Sequence, residues 1–224
     1  MNAIASIKEQ TYKNIEIIVV NDCSTEKAYY EYDYNSNGIK IIHLEKNSRD
    51  IFGFPCPGGY QRNFGIDIAL GEYIAFCDDD DIWLPNKLEL QIKAMQESDC
   101  QISSTEGLIG NGIYDKNKKY QKYNEEFYYN EIRDIYNSKN SNLMDNGFPH
   151  IWNLNFLQVH NCIICSSMIL HKDIIKKVGH FIIERCCEDY EYWLRALQYS
   201  NLVYVKEICF YYDIGHGDGQ NWGT

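Results

Sequence analysis

The sequence predicts an α/β protein in which helices flank a mixed, mainly parallel sheet. Three observations carry that expectation. Runs rich in β-branched residues alternate with amphipathic helical stretches through the first hundred residues, the pattern of strands joined by helical crossovers. Two of those runs end in acidic clusters, and ligands of open α/β sheets bind beyond the carboxyl ends of strands. With 224 residues, 45% of them hydrophobic, the chain is long enough for a substantial core.

Residues 2–10 carry Ile4 and Ile7 at helical spacing, and a polar turn at 11–14 follows. Ile15-Glu-Ile-Ile-Val-Val20 is β-branched and reads as a buried strand that ends in Asn21-Asp22-Cys23-Ser24-Thr25. The Tyr-rich residues 26–34 could form a helix, and Ile39-Lys-Ile-Ile-His-Leu44 is a second strand. The loop 45–59 contains Pro55, Pro57, Gly58 and Gly59, so it should turn sharply or run close to something. Tyr60 to Leu70 reads as a helix with Gly71 behind it, and Glu72 to Cys77 as a third strand. Pro85 opens a helix with a Leu84, Leu88, Ile92, Met95 stripe. From about 107 to 157 the pattern decays into an Asn-, Lys- and Tyr-rich, loop-rich region with a few helical turns, the kind of segment that often carries specificity. A strand over 163–170, a short helix near 173–178, a helix over 188–199 and an extended segment over 202–212 complete the reading, before a glycine-rich tail.

The formal charge is −11 with no basic block, which argues against nucleic acid and anionic membranes as partners. Nine cysteines without a repeating spacing suggest buried free thiols in a reducing compartment. Cys162-x-x-Cys165 and Cys186-Cys187 invite a zinc or redox reading, but no second CxxC or nearby CxxH accompanies them, and structural cysteines fit better. No stretch approaches the roughly 18 apolar residues a membrane span needs, so the sequence points to a cytoplasmic protein without a transmembrane segment.

The densest chemistry is Asp78-Asp79-Asp80-Asp81 at the end of the third strand. Four adjacent carboxylates repel one another unless a cation sits among them, and Mg²⁺ or Mn²⁺ takes such oxygens while sharing its shell with substrate phosphates. A solvated acidic turn is the plain alternative.

Several blocks together resemble the family 2 glycosyltransferases with the GT-A, Rossmann-like fold. Gln10 to Thr25 is similar to their second-strand signature. Arg62-Asn-Phe-Gly-Ile66 and Ala69 to Pro85 resemble their central block with its DxD motif. Ser166-Ser-Met168, Val178-Gly179 and Glu188-Asp-Tyr-Glu-Tyr-Trp-Leu-Arg195 resemble the acceptor-side block. The resemblance implies one domain over 1–224, with a nucleotide-sugar-binding half at 1–106 and an acceptor-binding half at 107–224. It implies inverting transfer of a sugar from a nucleotide-diphosphate sugar (a UDP-sugar favoured) to a glycan, lipid or protein hydroxyl, assisted by Mn²⁺ or Mg²⁺.

By the same resemblance Asp22 contacts the nucleotide base, Asp80 ligates the metal with Asp78, and Asp78 or Asp79 meets the ribose. Arg62 neutralises these carboxylates, reaches a phosphate or forms a structural ion pair. Asp189 matches the general base, and Glu188 orients it or binds the acceptor; as a residue at a helix start, Asp189 also suits a simple N-cap. His216 matches a late histidine that completes the metal shell or touches the diphosphate. Asp81 suits a cap for the following helix.

The chain departs from the family at its start. Met1 falls inside the helix that normally follows a first strand, so the nucleotide-binding half is expected to be truncated, with an exposed sheet edge. A longer gene product, a partner chain or a degenerate protein would each account for that. Cys23 stands where the family's turn has Gly, and Asn21 where it has Asp. A non-catalytic module that keeps the fold for binding or scaffolding is the rival reading. A nucleotidylyltransferase would also use a metal and phosphates, but the glycine-rich N-terminal loop of such enzymes is not seen.

Overall fold

The computed structural model describes residues 2–54 and 58–215. The first half runs α1 (Asn2–Lys8), β1 (Ile17–Asn21), α2 (Ala28–Glu31), β2 (Ile39–His43), α3 (Ser48–Phe52), α4 (Gly59–Ile68), β3 (Tyr73–Ala75), β4 (Ile82–Trp83) and α5 (Lys87–Ser98). The second half runs β5 (Ile102–Gly110), β6 (Gln121–Lys122), a π-helical segment (Tyr123–Tyr128), α6 (Tyr129–Ser138), β7 (Ile151–Trp152) and α7 (Leu154–Leu157). A 3₁₀ turn (Cys165–Ser167), β8 (Ile169–His171), α8 (Lys172–Val178), α9 (Glu188–Ala196) and β9 (Leu202–Asp213) complete it.

The α/β expectation holds, and the pairing adds detail. β1 and β2 form a parallel pair in register from Ile17↔Ile39 to Asn21↔His43. A separate sheet has the order β3-β8-β5-β9-β4, with β6 on β5 and β7 on β9. Its long ladder, β5 against β9, is parallel from Ile102↔Leu202 to Gly110↔Asp213. The remaining pairings are antiparallel and only two or three residues long.

One apolar cluster gathers Trp152, Trp193, Tyr192, Phe148, Ile102 and Leu202. A second gathers Trp83, Leu88, Met95, Val203 and Phe210. Along β9, Leu202 and Tyr204 join the first cluster and Val203 the second, as the alternation of side chains along a strand requires, while the register shifts opposite Thr105, Glu106 and Gly107 bring Phe210 to the second.

Four expectations need correcting. The 107–157 region is more ordered than its composition suggests, because it begins inside β5. No apolar run marks that strand in the sequence, because its Ser103, Ser104, Thr105 and Glu106 are polar yet fully buried. Buried polar groups persist when hydrogen-bonded. Gln91 Nε2 donates to Ser103 O and Ser167 O, the Ser104 and Ser167 hydroxyls bond each other, and Glu106 accepts from the N–H groups of Gly107, Asn124 and Glu125. Second, the 163–170 strand shrinks to Ile169–His171, because Cys165–Ser167 turns as a 3₁₀ helix. Third, the 45–59 loop contains α3, whose N-cap Asn47 accepts from Arg49 N–H. Fourth, Asp81 does not cap α5, where Asn86 takes that position. β4 intervenes, and Asp81 Oδ1 instead accepts the Asp213 N–H at 3.0 Å. Cys23 adopts φ +58°, so the turn keeps a left-handed conformation that costs a non-glycine residue about 1–2 kcal/mol. No helix among the described residues is long and apolar enough to cross a membrane.

Candidate active site

The site forms where the ends of β1 and β3 meet the starts of α4 and α9. Ser166, on the 3₁₀ turn, fixes the acidic loop. Its Oγ accepts the Asp78 N–H at 2.9 Å and its carbonyl accepts Trp83 Nε1 at 2.9 Å.

The four aspartates then diverge. Asp78 Oδ1 pairs with Arg62 Nη2 at 2.6 Å. Exposed Asp79 accepts the Tyr29 hydroxyl at 2.6 Å through Oδ2. Asp80, half-buried, is pushed up to about 6 by burial first and by the charges of Asp78 and Asp79 second. Asp81 is fully buried, and burial followed by the Asp78 charge drives it well above the usual carboxylate range. The run is four different environments, not one clump.

Arg62 organises the rest. Its Nη1 reaches Glu188 Oε1 at 3.1 Å, 126 residues beyond Arg62 in the chain, so one guanidinium joins the end of β3 to the first turn of α9. Two glycines make room for it. Gly58 has φ +87°, and a Cβ there would lie 2.9 Å from Arg62 Nη1; a Cβ on Gly59 would lie 2.9 Å from Glu188 Cγ. The sharp turn and close approach expected of that glycine pair are both realised. Asn63 locks the same helix to the segment before α9, donating from Nδ2 to Phe181 O and accepting the Phe181 N–H. Burial opposes the charge on Arg62, but Asp78 and Glu188 outweigh it and keep the guanidinium protonated.

On α9, Glu188 is 2% exposed. Burial lifts it to about 7 in spite of Arg62. Asp189 is less enclosed, and burial raises it too, against the opposing effects of Arg62 and the Tyr190 N–H. Cys187, not Asp189, holds the N-cap position of α9. Asp22 sits at the end of β1 with both carboxylate oxygens on Ser48, at 2.9 Å to its N–H and 2.6 Å to its hydroxyl, and Gln61 Nε2 donates to the same hydroxyl. His216 lies outside the described residues.

Asp22, Arg62, Asp78 and Glu188 are thus tied into one framework with Asp80 and Asp189 beside them. Tyr29, Ser48 and the backbone of Asp213 are partners that no sequence signal singled out. Ser166 was legible only as part of a family block, without a role.

Among the described residues no group of three or more His, Cys, Asp and Glu forms a ready-made metal shell. The donor set suits a different kind of site. Asp80 is held in an excess of negative charge by its neighbours, which a divalent cation would relieve, and Mg²⁺-type ions commonly take one or two carboxylates and fill their shell with water and substrate phosphates. Asp78 and Asp80 fit that requirement.

The cysteines split into two groups. Cys162 and Cys165 are buried, as the structural reading expects, whereas the adjacent Cys186 and Cys187 are exposed.

A sequence model described as Glycosyl transferase family 2 matches residues 2–174. An uncharacterised glycosyltransferase of Rickettsia typhi is 30% identical over 92% of this chain and 57% of its own length. The UDP-Glc:alpha-D-GlcNAc-diphosphoundecaprenol beta-1,3-glucosyltransferase WfaP of Escherichia coli is 31% identical over 87% of this chain and 63% of its own length. Among solved structures, TarS of S. aureus in complex with UDP-GlcNAc superposes with a TM-score of 0.69 at 18% identity, covering 99% of this chain and 56% of that one. The chain spans less than two thirds of each of these proteins.

Proposed function

The chain belongs to glycosyl transferase family 2, and from that premise we propose that it transfers a hexose from a UDP-sugar to a hydroxyl acceptor, with inversion and with a divalent cation. The observation that carries this reading is the Arg62 junction. It holds an acidic strand end and an acidic helix start against one guanidinium, so two carboxylate sets with separate chemical tasks share one site.

The tasks divide by environment. Asp189 is the general base. Its carboxylate takes the proton of the acceptor hydroxyl as that oxygen attacks the anomeric carbon, and burial brings its basicity upward. Glu188 is turned to Arg62 and fixes the first turn of α9. Asp78 and Asp80 would hold the cation, whose chemistry when bound is to neutralise charge on the departing diphosphate. Asp79, exposed, is available to the ribose, and Asp22 braces the nucleotide side through Ser48. The Escherichia coli relative, a UDP-Glc-dependent glucosyltransferase, supports a UDP-sugar donor and a glucosyl group, and the TarS complex with UDP-GlcNAc supports a UDP-linked donor.

The test is release of UDP by the purified chain given Mn²⁺ and a panel of UDP-sugars. Asp80→Ala should abolish it, and chelation should do the same. Turnover that persists in chelator and in Asp80→Ala would overturn the metal-assisted assignment.

A further inference from the structure

Cys186 and Cys187 stand immediately before Glu188 and Asp189. Both are exposed. Cys187 is the N-cap residue of α9 and sits at φ +62°, a left-handed conformation that strains any side-chain-bearing residue. Its carbonyl accepts the Glu191 N–H at 3.0 Å, the first hydrogen bond of the helix. The glutamate that follows has no slack, since it packs beside Gly59 and pairs with Arg62.

We propose that Cys186 and Cys187 form a thiol switch, closed by a peroxide-class oxidant into a vicinal disulfide that displaces Glu188 and Asp189. The effect on turnover rests on the glycosyltransferase reading; the covalent change does not. In the first step Cys186 Sγ attacks a peroxide oxygen. The O–O bond breaks, a sulfenic acid forms and one water leaves. Cys187 Sγ then attacks the sulfenic sulfur, the S–O bond breaks and a second water leaves with the thiol proton. Two thiols are oxidised to one disulfide and one H₂O₂ is reduced to two waters.

The geometry explains why closure would reach the active site. Consecutive Cα atoms lie about 3.8 Å apart, closer than the roughly 4.4–6.8 Å usual across a disulfide. The eight-membered ring therefore forms only if the backbone at 186–187 is redrawn, and that backbone is the start of α9. Strained, exposed disulfides are also the readily reduced ones, which makes the change reversible. The buried cysteines lack this access: Cys162 and Cys165 are enclosed, and burial pushes both thiols far up.

Trypsin isolates the pair, because Arg185 and Arg195 bracket a peptide that contains no other cysteine. After brief H₂O₂ treatment of the whole chain and blocking of free thiols, that peptide should be found lighter by two hydrogens. Amide hydrogen exchange across 188–192 should rise, and dithiothreitol should reverse both changes. Cys186→Ser should keep the turnover of the reduced protein and resist peroxide. Where the reduced chain releases UDP, oxidation should lower that rate by about a hundredfold, the scale of a small misplacement of a reacting group.

A 186–195 peptide that stays dithiol while free glutathione in the same tube is oxidised would overturn the switch. So would a disulfide that leaves exchange over 188–192 unchanged. A reduced chain with no UDP release would instead count against the proposed activity, with the mass and exchange readouts still deciding the thiol chemistry.

Discussion

The end of β3 and the start of α9 are both acidic, and the fold treats them differently. At Asp78–Asp81 the charges stay crowded: Asp80 is lifted to about 6 by burial and by its aspartate neighbours. At Glu188–Asp189 there are only two carboxylates, and Glu188, nearly fully buried, rises to about 7 although a guanidinium lies 3.1 Å away. Arg62 stands between them, 2.6 Å from Asp78 and 3.1 Å from Glu188. In the proposed reaction a cation would relieve the crowding left at Asp80. On that reading similar residues divide into a group that holds the cation and a pair that takes the proton.

The sharpest way to break this comparison is Asp189→Asn. UDP release should fall by about 10²–10⁴, the range for losing a general base, while donor affinity measured by calorimetry stays near that of the parent chain. A matching loss of donor affinity would move Asp189 to the donor side and erase the distinction.

Arg62→Ala tests the shared guanidinium. It leaves the Glu188 charge buried without its partner, so unfolding in urea should show a loss of about 3 kcal/mol, as when one member of a buried pair is removed. Adding Glu188→Gln should recover part of that loss. An additive result would mean that the contact across 126 residues contributes nothing to stability.

A smaller effect should appear in the pH dependence of stability. Glu188 rises from 4.5 to about 7 on folding. A carboxylate raised in the folded state binds protons the unfolded chain has released, so its contribution is full below about 4.5 and is lost as pH climbs through about 7. The thermal midpoint of the metal-free chain should therefore decline from pH about 5 to about 7.5, with Glu188 contributing at most about 1.4 kcal/mol per pH unit. Asp81 and Asp189, also raised by burial, act in the same direction, and so does Asp80, more weakly because solvent screens it. Glu188→Gln should make the slope shallower without removing it. A steeper decline in that variant would show that another group controls this window.

Apart from α3 and β4, the strands and helices of the first half were legible because local chemistry marks them. Ile15 to Val20 is β-branched, Pro85 and the Leu88, Ile92, Met95 stripe announce a helix, and Gly58-Gly59 announces a close approach. β5 was not legible, because Ser103, Ser104 and Glu106 gain their partners from Gln91, Ser167 and the π-helical segment, which are remote in sequence or invisible as acceptors and donors until the chain folds. Asp81 misled for a related reason. Its position before a helix suggests a cap, but the intervening β4 turns it to β9.

The sequence by itself determined the α/β alternation, the acidic strand end, the Glu188-Asp189 pair and the family resemblance. Each is a property of neighbours along the chain. Only the tertiary structure decided that one arginine joins the two acidic sites, that the four aspartates occupy four environments, and that Cys186 and Cys187 stay exposed at the base of α9. Those outcomes depend on which groups folding brings within hydrogen-bonding distance and which it removes from water. Neither is fixed by the spacing of residues in the sequence.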